Sequence, residues 1–254
     1  MARPMRRCAL PVMNNNKVKP ELHIFDDSSS VAIAAAETFA AIAADAITSR
    51  GKFLVALSGG STPQAMFSLL SGPPYNREIE WTAVHVFWGD ERLVPADDSG
   101  SNYYHAQRLL VAHVPIPASQ VHRVRGELTT AEAVEDYERQ LQSLAAGKQV
   151  WPKFDLALMG LGADGHTASL FPGSDAIAEK TRPVLAVTAE YAGRPAQRVT
   201  FTPPVFNDAR QVLFLVVGEE KATALAAVLH GPRDIHNWPA QSIQPDYQNL
   251  AWFV

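Results

Sequence analysis

Short apolar runs alternate along the chain with longer segments of helical periodicity. Residues 53–57 (FLVAL), 83–88 (AVHVFW), 154–159 (FDLALM) and 212–217 (VLFLVV) are apolar at almost every position. That is the pattern of strands covered on both faces in a parallel sheet, not of half-exposed strands. Residues 22–25, 184–188, 198–202 and 250–254 read as further strands. Between them, Val31, Ala35, Phe39, Ile42 and Ala46 recur at helical spacing, with Ser30 as the expected cap and Gly51 as the stop. Pro63 suits the first position of a helix through Met66 and Leu70, and Ser101 caps one that begins at Asn102. Thr129 and Glu132 form a capping box ahead of the stripe Val134, Tyr137, Leu141 and Leu144. A last helix runs from Gly218 to Leu229 and stops at Gly231-Pro232. The alternation predicts an α/β fold: a single domain over residues 21–254 with a mostly parallel, Rossmann-like sheet flanked by helices on both faces. No stretch approaches the roughly 18 to 20 apolar residues of a membrane span, so no membrane partner is expected.

The polar residues of interest sit where the strands end. After 154–159 come Gly160, Gly162 and Gly165, with Asp164 and His166 two residues apart. Open α/β sheets place ligands at the carboxyl ends of their strands. The glycines allow a sharp turn that holds His166 towards a substrate. An imidazole takes a proton near neutral pH, and a neighbouring carboxylate fixes its tautomer. A purely structural histidine is the alternative. The glycines also spell G-x-G-x-x-G, but Pro172 and Gly173 interrupt any following helix, which argues against a dinucleotide site.

After 53–57, Ser58-Gly59-Gly60-Ser61-Thr62-Pro63 leads into a helix. Backbone N–H groups, the helix dipole and the Ser61 and Thr62 hydroxyls make either a phosphate cradle or an ordinary capped turn. The Gly-Lys-Ser/Thr ending of a Walker loop is missing. After 83–88, three charged residues follow Gly89. They cannot all be core, and Glu91 reads as part of a solvated, ion-paired loop, whereas Asp90 and Arg92 gain weight from lying beside the other two loops. Lys221 in a first helical turn opposes the dipole unless an anion waits there or Glu219 and Glu220 compensate it.

Composition narrows the picture. The 254 residues are 47% hydrophobic, ample for a core, and a net charge of −4 argues against a general nucleic-acid binder. Cys8 is the single cysteine, which excludes an intrachain disulfide and a cysteine metal cluster. The other histidines lack ligand-like spacing, so neither metal nor cofactor is expected. Residues 1–20 carry Arg3, Arg6, Arg7, Lys17 and Lys19 and no acid. They read as a flexible leader without the apolar core of a secretory signal, with Met13 as an alternative start and a mitochondrial-type leader as the minority alternative, and a cytoplasmic protein is expected.

The motifs LSGGSTP (57–63), FWGDERLVP (87–95), SNY (101–103), MGLGADGHTASLFPG (159–173), RVTFT (198–202) and GEEK (218–221) run in one order along residues 21–254. In this the chain resembles the 6-phosphogluconolactonase family. The related glucosamine-6-phosphate deaminases share SGGSTP and D-G-H. They then carry a glutamate where this chain has Phe171, and a tyrosine where it has Arg92. The resemblance implies hydrolysis of 6-phosphoglucono-1,5-lactone to 6-phosphogluconate, the second step of the oxidative pentose phosphate pathway. It implies His166 as general base on water with Asp164 holding it, and Arg92, oriented by Asp90, steadying the lactone oxygen or hydroxyls. Ser61, Thr62, Arg198 and Lys221 would hold the 6-phosphate, helped by the backbone of Gly59 and Gly60. The implied partner is a small sugar-phosphate lactone, with no nucleic acid and no membrane, bound by a monomer. A deaminase or isomerase, and a sugar-phosphate-sensing regulatory module, are the alternatives.

Overall fold

The computed structural model describes residues 20–190, 193–245 and 249–254. The expected leader, Pro20 apart, lies outside them. Ten strands are described: β1 (Glu21–His23), β2 (Phe53–Leu57), β3 (Val84–Trp88), β4 (Asp90–Arg92), β5 (Val121–His122), β6 (Leu156–Gly160), β7 (Val184–Thr188), β8 (Gln197–Phe201), β9 (Val212–Leu215) and β10 (Leu250–Phe253). The helices are α1 (Ser28–Arg50), α2 (Ser61–Leu70), α3 (Tyr75–Glu78), α4 (Asn102–Leu109), α5 (Thr130–Leu144), α6 (Pro203–Asn207) and α7 (Ala222–His230).

Seven strands form one sheet in the order β1-β10-β9-β6-β2-β3-β5, and every neighbouring pair is parallel. The side chains of β6 alternate between its faces. Leu156 and Leu158 join a core with α1, α2 and α4, while Ala157 and Met159 join one with α5, α6 and α7. Helices therefore cover both faces, which explains why the strands carry so few polar residues. The remaining strands, β4-β8-β7, make a separate antiparallel sheet. The expectation of further strands at 184–188 and 198–202 holds, although they stand outside the parallel sheet.

The capping box of α5 is present in both directions, and Ser101 caps α4 as expected. Other boundaries shift. Asp27, not Ser30, caps α1, its carboxylate accepting the Ser30 N–H at 2.8 Å. Pro63 lies inside the first turn of α2, which Gly60 precedes with φ 109°. The membrane expectation also needs correction, because the 23 residues of α1 are long and apolar enough to cross a bilayer. Its apolar content is largely alanine, and Val31, Ala35, Phe39, Ala43 and Ala46 are buried in the core, with Phe39 edge-on to Phe53 at 5.1 Å. It packs as a core helix.

Candidate active site

The strand order reverses between β2 and β6. From β2 the chain works outward through β3 to β5, then returns to the other flank of β2 and continues through β6, β9 and β10. A crevice opens at the carboxyl ends of the strands at such a switch point. Here it holds a cleft of about 330 Å3. Nine of the ten expected site residues line it: Gly59, Gly60, Ser61, Thr62, Asp90, Arg92, His166, Arg198 and Lys221.

Asp164, the tenth, is the partner of His166. Its Oδ1 lies 2.5 Å from His166 Nδ1 and accepts the His166 backbone N–H at 3.1 Å. A carboxylate at Nδ1 favours the tautomer with its proton there, leaving Nε2 as the basic nitrogen. Burial pushes the Asp164 pKa up, but the hydrogen bond and charge of His166 outweigh it and hold the carboxyl below its ordinary value. The loop closes on itself through Gly162 N–H to His166 O at 2.9 Å and Thr167 Oγ1 to Gly160 O at 2.8 Å. Of the three glycines expected to supply unusual backbone angles, only Gly165 has positive φ, 80°. Gly162 serves by having no side chain, since a Cβ there would collide with the His166 imidazole. Ala168, also in the cleft wall, has φ 48°, a conformation that costs a residue with a Cβ roughly 1 kcal/mol. No helix follows Gly165 directly, in line with the reading against a dinucleotide fingerprint.

The three charged residues after β3 are buried together, which corrects the reading of Glu91 as solvated. Asp90, Glu91 and Arg92 form β4, and Glu91 is only 2% exposed. Its carboxylate accepts N–H groups from Arg92, Asn102 and Tyr103 and the Ser101 hydroxyl, all within 2.9 Å. It takes the free donors at the start of α4, where a negative charge is favoured. Burial raises its pKa, and these four hydrogen bonds work against that rise. Nor does Asp90 orient Arg92 by a hydrogen bond. Asp90 Oδ2 accepts from Ser169 Oγ at 2.7 Å, and Arg92 Nη1 donates to Gly100 O at 2.6 Å.

Arg92 and Arg198 are cross-strand neighbours between β4 and β8, both at least nine-tenths buried. Arg92 Nε and Arg198 Nε and Nη2 are buried with no hydrogen-bond partner. Like charges side by side with unsatisfied donors are costly unless an anion joins them. Burial lowers the Arg198 pKa, while the charge of Asp90 opposes that shift. Lys221 ends a 3-10 turn, Glu219–Lys221, just before α7. Burial lowers its pKa too, with Glu220 opposing and Arg194 adding to the shift.

Four further polar residues line the cleft: Ser58, Asn102 and Glu220, named in the sequence only as part of the loop, as a helix start and as a partner for Lys221, and Arg194, which no motif marks. Asn102 donates to Asp90 O at 2.8 Å, and a Cβ on Gly59 would collide with its amide oxygen. Gly59 thus lets the first residue of α4 approach the β2 loop. The motif SNY carried that signal, although only the cap was read from it. Arg194 stands in the connection between β7 and β8, where no periodicity marks it.

The family model described as glucosamine-6-phosphate isomerases/6-phosphogluconolactonase matches residues 26–252. A 6-phosphogluconolactonase of Mycobacterium tuberculosis is 38% identical over 240 residues, covering 92% of this chain and 94% of the relative. Among solved structures, the 6-phosphogluconolactonase of Trypanosoma brucei superposes with a TM-score of 0.83 at 30% identity, covering 93% of this chain and 95% of the other. That of Thermotoga maritima gives 0.80 at 28% identity, with 93% and 99% covered. By the extent of these matches, the chain belongs to the glucosamine-6-phosphate isomerase/6-phosphogluconolactonase family.

Proposed function

We propose that the chain hydrolyses 6-phosphoglucono-1,5-lactone to 6-phosphogluconate, acting as a cytoplasmic monomer. The observation that carries this reading is the Asp164–His166 pair set in a cleft lined by buried, unsatisfied guanidinium groups. His166 Nε2 takes a proton from water as the water oxygen attacks the lactone carbonyl carbon. Arg92 steadies the oxyanion that develops. Collapse breaks the bond from that carbon to the ring oxygen, and the imidazolium returns its proton to the leaving alkoxide. Asp164 stays ionised and holds the ring, while Asp90, anchored by Ser169, faces Arg198. Ser61, Thr62, Arg198 and Lys221, with the backbone of Gly59 and Gly60, hold the 6-phosphate.

Phe171 favours this reaction over sugar-phosphate isomerisation, since it puts an apolar ring against His166 where a proton relay needs a carboxylate. Freshly made 6-phosphogluconolactone at slightly acidic pH, where background opening is slow, is the test. Opening in proportion to added protein, with no ammonia from glucosamine-6-phosphate, is the expected result. Ammonia release without lactone opening contradicts it.

A further inference from the structure

The charges of the cleft single out a residue that has no role so far. Among the described residues its walls carry four cations, Arg92, Arg194, Arg198 and Lys221, and two carboxylates, Asp90 and Glu220. With Arg92 placed on the lactone oxygen, Arg194, Arg198 and Lys221 are the cations left for the dianion that a phosphate monoester becomes near neutral pH. The charge of each carboxylate already acts on a cation, that of Asp90 on Arg198 and that of Glu220 on Lys221. Arg92 belongs to β4 and is tied to Gly100 O. Arg194 differs from all of these. It is exposed, and its side chain forms no ion pair with any described residue. Removing it would leave the dianion only Arg198 and Lys221, each already opposed by the charge of a carboxylate.

Two contacts of described residues anchor the segment that carries it. The connection between β7 and β8 is tied across its base by Ala189 N–H to Ala196 O at 2.9 Å. Pro195 lies beside Gly100, the residue whose carbonyl holds Arg92. Arg194 is thereby held at the mouth, close enough for its charge to act on both Arg198 and Lys221, although burial is the larger influence on each. An exposed cation beside the buried Arg198 and the half-buried Lys221 costs little desolvation and draws an anion in from solvent before those two receive it.

We propose that Arg194 is a third cation of the phosphate subsite, an entry-side guanidinium that binds the 6-phosphate dianion and sets the preference for phosphorylated over unphosphorylated lactone. The proposal rests on the lactonase reading and extends it to a residue outside the family motifs quoted above. The experiment compares kcat/KM on 6-phosphogluconolactone and on unphosphorylated gluconolactone, across increasing KCl, for the unaltered protein, Arg194→Ala, Arg194→Lys and Lys221→Ala. Arg194→Ala is expected to raise KM for the phosphorylated lactone about tenfold with kcat within about twofold, and to flatten the salt dependence, because a lost rim charge acts on capture. Gluconolactone should respond far less, and Arg194→Lys should restore most of the salt dependence. If Lys221→Ala loses the preference for phosphate while Arg194→Ala keeps both preference and salt dependence, the proposal is overturned and the lactonase reading stands. If the unaltered protein shows no preference for the phosphorylated lactone, both fall together. An equal loss on both substrates in Arg194→Ala assigns the residue to the loop's structure and also overturns the proposal.

Discussion

The ring of Phe171 lies 4.6 Å from the imidazole of His166, centroid to centroid, with the two planes 26° apart. The guanidinium carbon of Arg198 stands 5.2 Å from the centroid of the same ring. One apolar side chain thus backs both the proposed base and a proposed phosphate ligand. Phe171→Ala is expected to lower kcat about tenfold by loosening His166, and to destabilise the fold by about 3 kcal/mol. Steady-state kinetics and denaturant unfolding check the two parts separately. Stability loss without any change in kcat would reduce Phe171 to packing.

Gly162→Ala tests the seat of the base. Its methyl group would collide with the His166 imidazole and crowd Asp164 Oδ1, so the ring must move. Position 162 has no positive φ, so the backbone itself accepts alanine. The expected outcome is a loss in kcat on the order of 100-fold with a cooperative unfolding transition retained, since small displacements of a catalytic group are costly. An active Gly162→Ala would show that the loop adapts and that its geometry is not what sets His166.

The parallel sheet and the end of it that carries the site were readable in the sequence because a strand buried on both faces leaves an unbroken apolar run, as at Phe53 to Leu57. Glu91 was not readable. Burial of a carboxylate depends on donors that converge from elsewhere, here the start of α4, and no local pattern announces that meeting. The antiparallel sheet was missed for a related reason, since β4 is three charged residues whose partner, β8, is more than a hundred positions away. For α1, alanine supplied length and apolarity without large side chains, so its membrane-like character was overlooked. The Asp164–His166 pair was legible through its spacing, whereas Arg194 had neither period nor spacing to mark it.

His122 predicts an acid-side weakness away from the cleft. It stacks on Phe87 at 4.2 Å, and its Nε2 lies 3.2 Å from His85 Nδ1. Burial, and then the charge of His85, lower its pKa from 6.5 to about 4. His85 is itself lowered by burial and by Lys52. The unfolded chain therefore binds a proton between these values that the folded protein refuses. Stability is full above about pH 6.5 and falls as the pH drops towards 4, by roughly 2 kcal/mol at about pH 4.5. Urea unfolding across this range should show the fall, and His122→Phe should flatten it. An unchanged slope in that variant would place the weakness in other groups.

The account depends most on His166 acting as the base on water. His166→Asn keeps a polar side chain of similar size and removes the nitrogen that accepts a proton near neutral pH. Initial rates on freshly generated 6-phosphogluconolactone, corrected for spontaneous opening, measure the consequence directly. The account predicts a fall in kcat on the order of 100-fold or more with KM little changed and the unfolding transition intact. A folded His166→Asn protein that retains near-normal kcat would contradict it.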